Sequence, residues 1–103
     1  MVREMKFLVT YDVPQDYNPV RNKIVQVLKN YGLERIEYSV FLGNLSRNEA
    51  EMLSMRLEDV VKSVPADVRL FPLCQNCLDN SIVVKEKQPE WEAPEKTKGV
   101  EFI

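Results

Sequence analysis

A carboxylate at the end of an apolar run is the first feature of this sequence that could carry chemistry. Asp12 closes the segment FLVTYD, whose earlier residues have the pattern of a buried strand. Two interpretations are open, because Asp often ends strands and starts turns and because hard divalent cations prefer carboxylate oxygens. One carboxylate holds Mg²⁺ poorly, but two Asp12 side chains close to a two-fold axis would form a dicarboxylate site. Asp12 is therefore a candidate metal ligand in a symmetric dimer.

Basic side chains follow Asp12 at the start of a predicted helix. In one interpretation, Arg21 and Lys23 lie on the solvated polar face of this helix. Alternatively, they lie beside the N–H donors of the helix terminus and help to hold a phosphate. The spacing alone leaves both interpretations open.

Two cysteines have the spacing of half a zinc site. Cys74 and Cys77 are the only cysteines, and the sequence contains no His to complete a set of four ligands. A symmetric dimer could supply four thiolates only if both loops met at the two-fold axis. We expect structural or occasionally disulfide-linked thiols rather than zinc ligands.

The absence of His also removes the commonest general acid and base near neutral pH. Hydrolysis by this chain would depend on carboxylates, hydroxyls, Lys, Tyr or a hard metal ion.

Hydrophobic periodicity predicts the elements that position these residues. Residues 5–12 alternate as a strand, with the odd-numbered side chains on one face. Asn18 is the predicted N-cap of a helix with Pro19 at its first position, and Gly32 can end that helix in a left-handed conformation. The segment LERIEYSVFLG, residues 33–43, alternates as a single second strand.

The second half of the chain repeats the alternation of helix and strand. SRNE at 46–49 matches a capping box and starts a helix that Pro65 stops. Residues 67–73 and 81–85 are predicted strands. The resulting βαββαβ-like series predicts an α+β sandwich with both helices on one face of an antiparallel sheet.

The sheet face that the helices leave uncovered is predicted to mix ionisable with apolar side chains. Leu8 and Phe41 would be exposed there in a monomer, which favours a homodimer packed through this face. Such a mixture indicates an interface that contains a site. The other residues expected on this face are Thr10, Asp12, Arg35, Glu37 and Ser39.

Composition indicates one small globular domain. The chain has 103 residues, of which 45% are hydrophobic and 29% charged. Residues 1–85 are the expected domain, with eleven basic and eleven acidic side chains, so charge does not indicate nucleic-acid binding. Residues 86–103 are the expected tail, whose final GVEFI is predicted to add an edge strand across the dimer. No stretch resembles a membrane span or a signal peptide, which makes a cytoplasmic location the expectation.

Three ordered segments resemble the Cas-two family of CRISPR-associated proteins. They are the strand-ending YD at Tyr11 and Asp12, RNKIVQVLKNYG at 21–32 and RIEYSVFLGNL at 35–45. The resemblance implies a ferredoxin-like fold and a homodimer packed through the sheets. It also implies a metal-dependent nuclease acting on single-stranded RNA or double-stranded DNA, and a role beside the CRISPR integrase in spacer acquisition.

The resemblance implies a role for each residue that matches the family pattern. Asp12 would be the Mg²⁺ or Mn²⁺ ligand at the dimer axis, with Tyr11 beside it. Arg21, Arg35 and Phe41 match positions that support activity.

Four residues are implied contacts for nucleic acid, namely Arg21, Lys23, Arg35 and Ser39. Lys23 stands where some members have Arg, which keeps the charge but loses the bidentate fork. Glu37 stands where Gln is usual, and its negative charge argues against strong hydrolysis of nucleic acid.

Two other classes of function remain open. One is a non-catalytic dimeric scaffold that bridges integrase subunits and holds duplex DNA, with Asp12 mainly structural. The other is a toxin-like RNase of the VapD type, which shares the fold. An RNA-binding module of the RRM kind is disfavoured because DVRLFPL, residues 67–73, lacks the aromatic RNP1 pattern.

Overall fold

One antiparallel sheet with helices on one face forms the part of the chain that the computed structural model describes, residues 4–86. The strands are β1 (Glu4–Asp12), β2 (Glu34–Glu37), β3 (Val40–Ser46) and β4 (Asp67–Leu73). The helices are α1 (Asn18–Asn30), α2 (Arg47–Val61) and the short α3 (Gln75–Asp79), with a 3-10 turn at Gln15–Tyr17. Strand order is β2-β3-β1-β4. The predicted α+β, ferredoxin-like arrangement is confirmed.

Strand β1 lies in the middle of the sheet and alternates as predicted. Phe7, Val9 and Tyr11 are buried towards the helices, whereas Leu8 and Thr10 point to the other face and are partly exposed. The helices complete the core with Ile24, Val27 and Leu28 from α1 and Ala50, Leu53 and Leu57 from α2. The apolar stripes predicted from helical spacing are therefore the buried faces.

The helix ends follow local chemistry. Ser46 Oγ accepts from the Glu49 N–H at 3.1 Å, and Glu49 Oε1 accepts from the Ser46 N–H at 2.9 Å, which confirms the capping box of α2. Gly32 has φ of 83°, as predicted for a helix stop. The predicted N-cap at Asn18 is wrong: α1 already includes Asn18, whose Oδ1 accepts a hydrogen bond from Arg21.

Residues 33–43 do not form the single strand that their alternation predicted. Tyr38 and Ser39 form a turn between β2 and β3, and the register is irregular between Arg35 and Glu37. A turn breaks the two-residue period, so alternation counted through it assigns the following residues to the wrong face. Phe41 is therefore fully buried, opposite Val9, and its predicted position on the uncovered face is wrong.

The strand predicted at 81–85 is also wrong. After β4 the chain forms α3, and residues 81–86 have no regular structure. Ile82, Val83 and Val84 are 85%, 68% and 92% exposed. A β-branched run becomes a strand only where a sheet edge pairs with it, and no described strand pairs with this segment. The GVEFI segment lies outside the described residues.

The sheet face opposite the helices has an apolar centre, which we call the open face. Leu8 lies directly opposite Leu42 on β3 and Phe71 on β4, and Phe71 is 43% exposed. Thr10 and Arg69 form a polar pair beside this centre.

Within residues 4–86, no helix is long and apolar enough to cross a membrane.

Phe41, on the buried face of the sheet, and Phe71, on the open face, allow a matched test of this fold. Phe41→Ala should lower the free energy of unfolding by about 3–5 kcal/mol, because it leaves a cavity in a fully buried site. Phe71→Ala removes the same atoms from a half-exposed site and should cost less than half as much. Urea unfolding at protein concentrations low enough to keep the chain monomeric measures both losses. Equal losses, or a larger one at Phe71, would contradict the position of Phe41 in the core.

Candidate active site

A surface cavity of about 280 Å³ lies where β1 ends beside the β2–β3 turn. The two segments are joined by the Tyr11 N–H, which donates to the Ser39 carbonyl at 3.1 Å. Residues distant in the sequence therefore share one cavity. Its lining consists of Tyr11, Asp12, Val13, Gln15, Arg21, Tyr38 and Ser39.

Asp12 presents an exposed carboxylate at this cavity. It is the last residue of β1, and its carboxylate forms no hydrogen bond or ion pair with other residues of the described range 4–86. The β1–β4 register puts Asp67 directly opposite it. Like charges facing each other across a sheet are destabilising. The register thus places two carboxylates, Asp12 and Asp67, at this end of the sheet. Asp67 was not among the residues predicted from the sequence.

Asp67 differs from Asp12 because it has a cationic partner. Arg69 donates to Asp67 through Nε at 2.7 Å and through Nη2 at 3.1 Å, a bidentate contact. These hydrogen bonds lower the pKa of Asp67, so its carboxylate stays ionised and compensated. Only the pairing of the two strand ends brings Asp67 beside Asp12, and no local sequence signal marks it.

Tyr11 connects the cavity to the core through its hydroxyl group. It donates to the Tyr38 carbonyl at 3.2 Å and accepts from Arg35 Nη2 at 3.2 Å. Arg35 Nε donates to the same carbonyl at 3.0 Å. Burial raises the pKa of Tyr11, and the contacts with Arg35 oppose that rise only in part. Tyr11 is therefore a neutral phenol at neutral pH.

Aromatic rings support the Arg35 guanidinium. Its Cζ lies 5.0 Å from the ring centroid of Tyr38 and 5.4 Å from that of Phe41. The Phe41 ring is also 6.3 Å from the Tyr11 ring. Because Phe41 is fully buried, it acts on the cavity only by holding Tyr11 and Arg35. Phe41 is therefore a core residue that packs against Tyr11 and Arg35 and does not line the cavity.

Arg21 holds the loop that joins β1 to α1. Its Nη2 donates to the Val13 carbonyl and its Nη1 to Asn18 Oδ1, each at 2.7 Å. A guanidinium has further N–H donors, and Arg21 lines the cavity, so it can still contact an anion there. The solvated-face interpretation of Arg21 does not describe its contacts.

The remaining sequence candidates divide between the cavity and the surface outside it. Ser39 lines the cavity and lies in the β2–β3 turn. Lys23 on α1 and Glu37 at the end of β2 are exposed and do not line it. Gln15 lines the cavity without having been singled out from the sequence. The structure thus brings together four of the predicted site residues, namely Tyr11, Asp12, Arg21 and Ser39, with Arg35 and Phe41 supporting them.

The oxygen donors at the cavity suit a hard cation that keeps part of its water shell. No group of three or more acidic or Cys side chains lies together within residues 4–86. Mg²⁺ is often held by one or two carboxylates, with waters and phosphate oxygens completing the octahedron. The exposed Asp12 carboxylate fits that role, and Asp67 is a second acidic group nearby.

Comparison with known proteins identifies the family. A family model described as CRISPR associated protein Cas2 matches residues 5–81. The CRISPR-associated endoribonuclease Cas2 1 of Archaeoglobus fulgidus is 34% identical over 99 residues, which cover 96% of this chain and 100% of that protein. A CRISPR-associated endonuclease Cas1/endonuclease Cas2 fusion of Thermoproteus tenax is 32% identical over 85 residues, covering 82% of this chain and 31% of the fusion.

A solved structure has the same fold. The protein described as "Crystal structure of cas2" aligns with a TM-score of 0.66 and 31% identity, covering 84% of this chain and 94% of that one. The resemblance that three short segments indicated thus extends over most of the chain. The chain belongs to the CRISPR-associated Cas2 family.

Proposed function

We propose that this chain is a metal-dependent endonuclease of the CRISPR spacer-acquisition module. Its substrates would be phosphodiester bonds of single-stranded RNA or double-stranded DNA. The observation that carries the proposal is the exposed Asp12 carboxylate, which has no cationic partner among the described residues 4–86 and lies in a cavity that Arg21 also lines. The name endoribonuclease given to the Archaeoglobus fulgidus relative supports it.

Each residue at the cavity has a distinct task in this proposal. Asp12 would hold Mg²⁺ or Mn²⁺ through its carboxylate oxygens. When bound, such an ion supplies an activated water and neutralises charge on the phosphate. Arg21 binds a phosphate oxygen with the N–H groups that its loop contacts leave available. Ser39 adds a hydroxyl group at the cavity wall.

Tyr11 and Arg35 act as positioning residues. The Tyr11 hydroxyl is engaged by Tyr38 and Arg35, and its raised pKa keeps its proton in place at neutral pH. A phenol in that state orients the end of β1 and does not serve as a base.

A homodimer formed through the open face would complete the site. Its apolar centre consists of Leu8, Leu42 and Phe71, of which Phe71 is 43% exposed, and packing against a second copy would remove this apolar surface from water. Asp12 lies on the same sheet face as this centre. Two-fold pairing of that face would therefore bring a second copy of the site into the same interface, where two carboxylates can share one ion.

A second candidate function is that of a bridge to the CRISPR integrase. The Thermoproteus tenax relative joins Cas1 and Cas2 in one chain, which favours an association between the separate proteins as well. In that role the protein would hold duplex DNA by phosphate contacts from Arg and Lys side chains. Such contacts do not depend on Asp12, so the two functions can be separated by mutation.

Dimer formation can be tested with a charge on the open face. Phe71→Asp should shift the protein from dimer to monomer at micromolar concentration, because a carboxylate would be buried without a partner. Met55→Asp is the matched control, since Met55 is a large apolar residue on α2 that is 68% exposed. Light scattering and sedimentation measure the mass. A monomeric unmutated protein, or a dimer that Phe71→Asp leaves unchanged, would contradict the proposed interface.

The metal role of Asp12 can be tested by Asp12→Asn, which removes one charge and nearly preserves shape. Cleavage with Mg²⁺ or Mn²⁺ should fall by about a hundredfold or more, the scale expected for loss of a charge-stabilising group. Calorimetric Mn²⁺ binding should weaken in parallel, whereas the dimer and spacer acquisition should persist. Asp16→Asn is the control, because Asp16 is an exposed acidic residue outside the cavity lining.

Two results would contradict this assignment. Undiminished cleavage by contaminant-free Asp12→Asn protein would make Asp12 a strand-ending residue only. Loss of acquisition in a variant that remains dimeric would join the nuclease site to the bridging function.

A further inference from the structure

Two exposed thiols lie together where β4 leads into α3. Cys74 immediately precedes α3, and the Cys77 N–H donates to the Cys74 carbonyl at 3.1 Å, which closes one turn. The Sγ atoms of the two residues are 3.3 Å apart, within hydrogen-bond distance for sulfur. Both cysteines are free and exposed. Exposure excludes the ordinary structural role of Cys as a small buried apolar residue.

We propose that Cys74 and Cys77 form a redox-active dithiol, which low-molecular-weight disulfides oxidise to a reversible intramolecular disulfide. The turn already holds both sulfur atoms side by side at the surface. Bond formation requires the sulfurs to approach from 3.3 Å to about 2.05 Å, a change that side-chain rotation can supply.

The two thiols are chemically unequal, and this sets the direction of the reaction. Hydrogen bonding between the sulfurs lowers the pKa of Cys74 and raises the pKa of Cys77. Backbone N–H groups of Cys77 and Asn76 add to the lowering at Cys74. Because the thiolate is the nucleophile, Cys74 is the attacking residue and Cys77 the resolving residue.

The reaction balances with a disulfide, RSSR, as the oxidant. The Cys74 thiolate attacks one sulfur of RSSR, the S–S bond breaks, and the leaving thiolate takes a proton to become RSH. Cys77 then loses its proton and attacks the Cys74 sulfur of the mixed disulfide, releasing a second RSH. The protein dithiol is oxidised by two electrons, and RSSR is reduced to two thiols.

This dithiol is separate from the Asp12 cavity. Asp67, opposite Asp12, begins β4, whereas Cys74 follows Leu73 at the other end of that strand. The intervening strand is about 20 Å long at the usual rise per residue. Oxidation and nuclease activity can therefore be measured independently, and the failure of one proposal leaves the other unaffected.

The geometry favours redox chemistry over a metal site. A structural zinc site needs about four protein ligands, and no group of three suitable side chains occurs in the described range 4–86. The prediction that these thiols do not bind zinc is tested in the same experiment. Where disulfides form in reducing compartments, they are usually transient and either catalytic or redox-sensing.

The test uses the full-length protein, reduced, freed of reductant and exposed to oxidised glutathione at neutral pH. The unmutated protein should reach a state that lacks two hydrogens by mass and resists alkylation, and dithiothreitol should reverse it. Cys77→Ser should accumulate one glutathione adduct, on Cys74. Cys74→Ser should react more slowly, because it lacks the thiol whose pKa the backbone N–H groups of Cys77 and Asn76 help to lower.

Each variant is the matched control of the other, since both change one exposed thiol to a hydroxyl. Equal reaction rates of the two variants would overturn the assigned roles. An unmutated protein that stops at stable glutathione adducts, or that forms disulfides only between chains, would overturn the proposal. Stoichiometric zinc in protein purified without added metal, lost in Cys74→Ser, would replace it with a metal site.

Discussion

The junction between the end of β1 and the β2–β3 turn determines the geometry of the candidate active site. Tyr11 makes this junction with its backbone N–H on Ser39 and its hydroxyl group on Tyr38. Its ring is buried and its hydroxyl group also accepts a hydrogen bond from Arg35, so core packing and three hydrogen bonds hold Tyr11 in place. The neighbouring Asp12 must then point away from the core and into the cavity, because successive side chains of a strand alternate. The buried Tyr11 thus fixes the position of the exposed Asp12 carboxylate.

Electrostatics at this end of the sheet is unbalanced in a way that favours a cation. Asp12 and Asp67 face each other across β1 and β4, which is unfavourable for two like charges. Arg69 compensates Asp67, while Asp12 has no cationic partner among residues 4–86. A protein that needed only a strand-ending residue at this position could use Asn at no such cost. The uncompensated charge is therefore the strongest physical reason to assign a ligand role to Asp12.

Elements with local signals were predictable from the sequence, and those that depend on distant pairing were not. The Ser46 capping box and the alternation of β1 each stand in a short segment, and both were correctly predicted. The turn at residues 38–39 carries neither Gly nor Pro, so the strand that it interrupts looked continuous and Phe41 was assigned to the wrong face. Residues 81–85 have strand composition but no edge to pair with in the described chain.

The same contrast between local signals and distant pairing applies to the residues of the candidate site. Asp12, Tyr11 and Arg21 were singled out from their spacing and from the family resemblance, and they line one cavity. Asp67 was missed because only the β1–β4 register brings it beside Asp12. The supporting role of Phe41 was hidden by the same error that put it on the open face. The candidate reactive groups were thus predictable from the sequence, whereas the contacts that hold them depend on the fold.

Anomalous diffraction from crystals grown with Mn²⁺ would test the central claim, that the Asp12 carboxylate is a metal ligand, most directly. The account predicts an anomalous peak at bonding distance from an Asp12 oxygen, with further oxygen ligands from water or from the Asp12 carboxylate of a second copy. Mn²⁺ bound elsewhere, with both Asp12 oxygens solvated and unligated at saturating ion concentration, would contradict it.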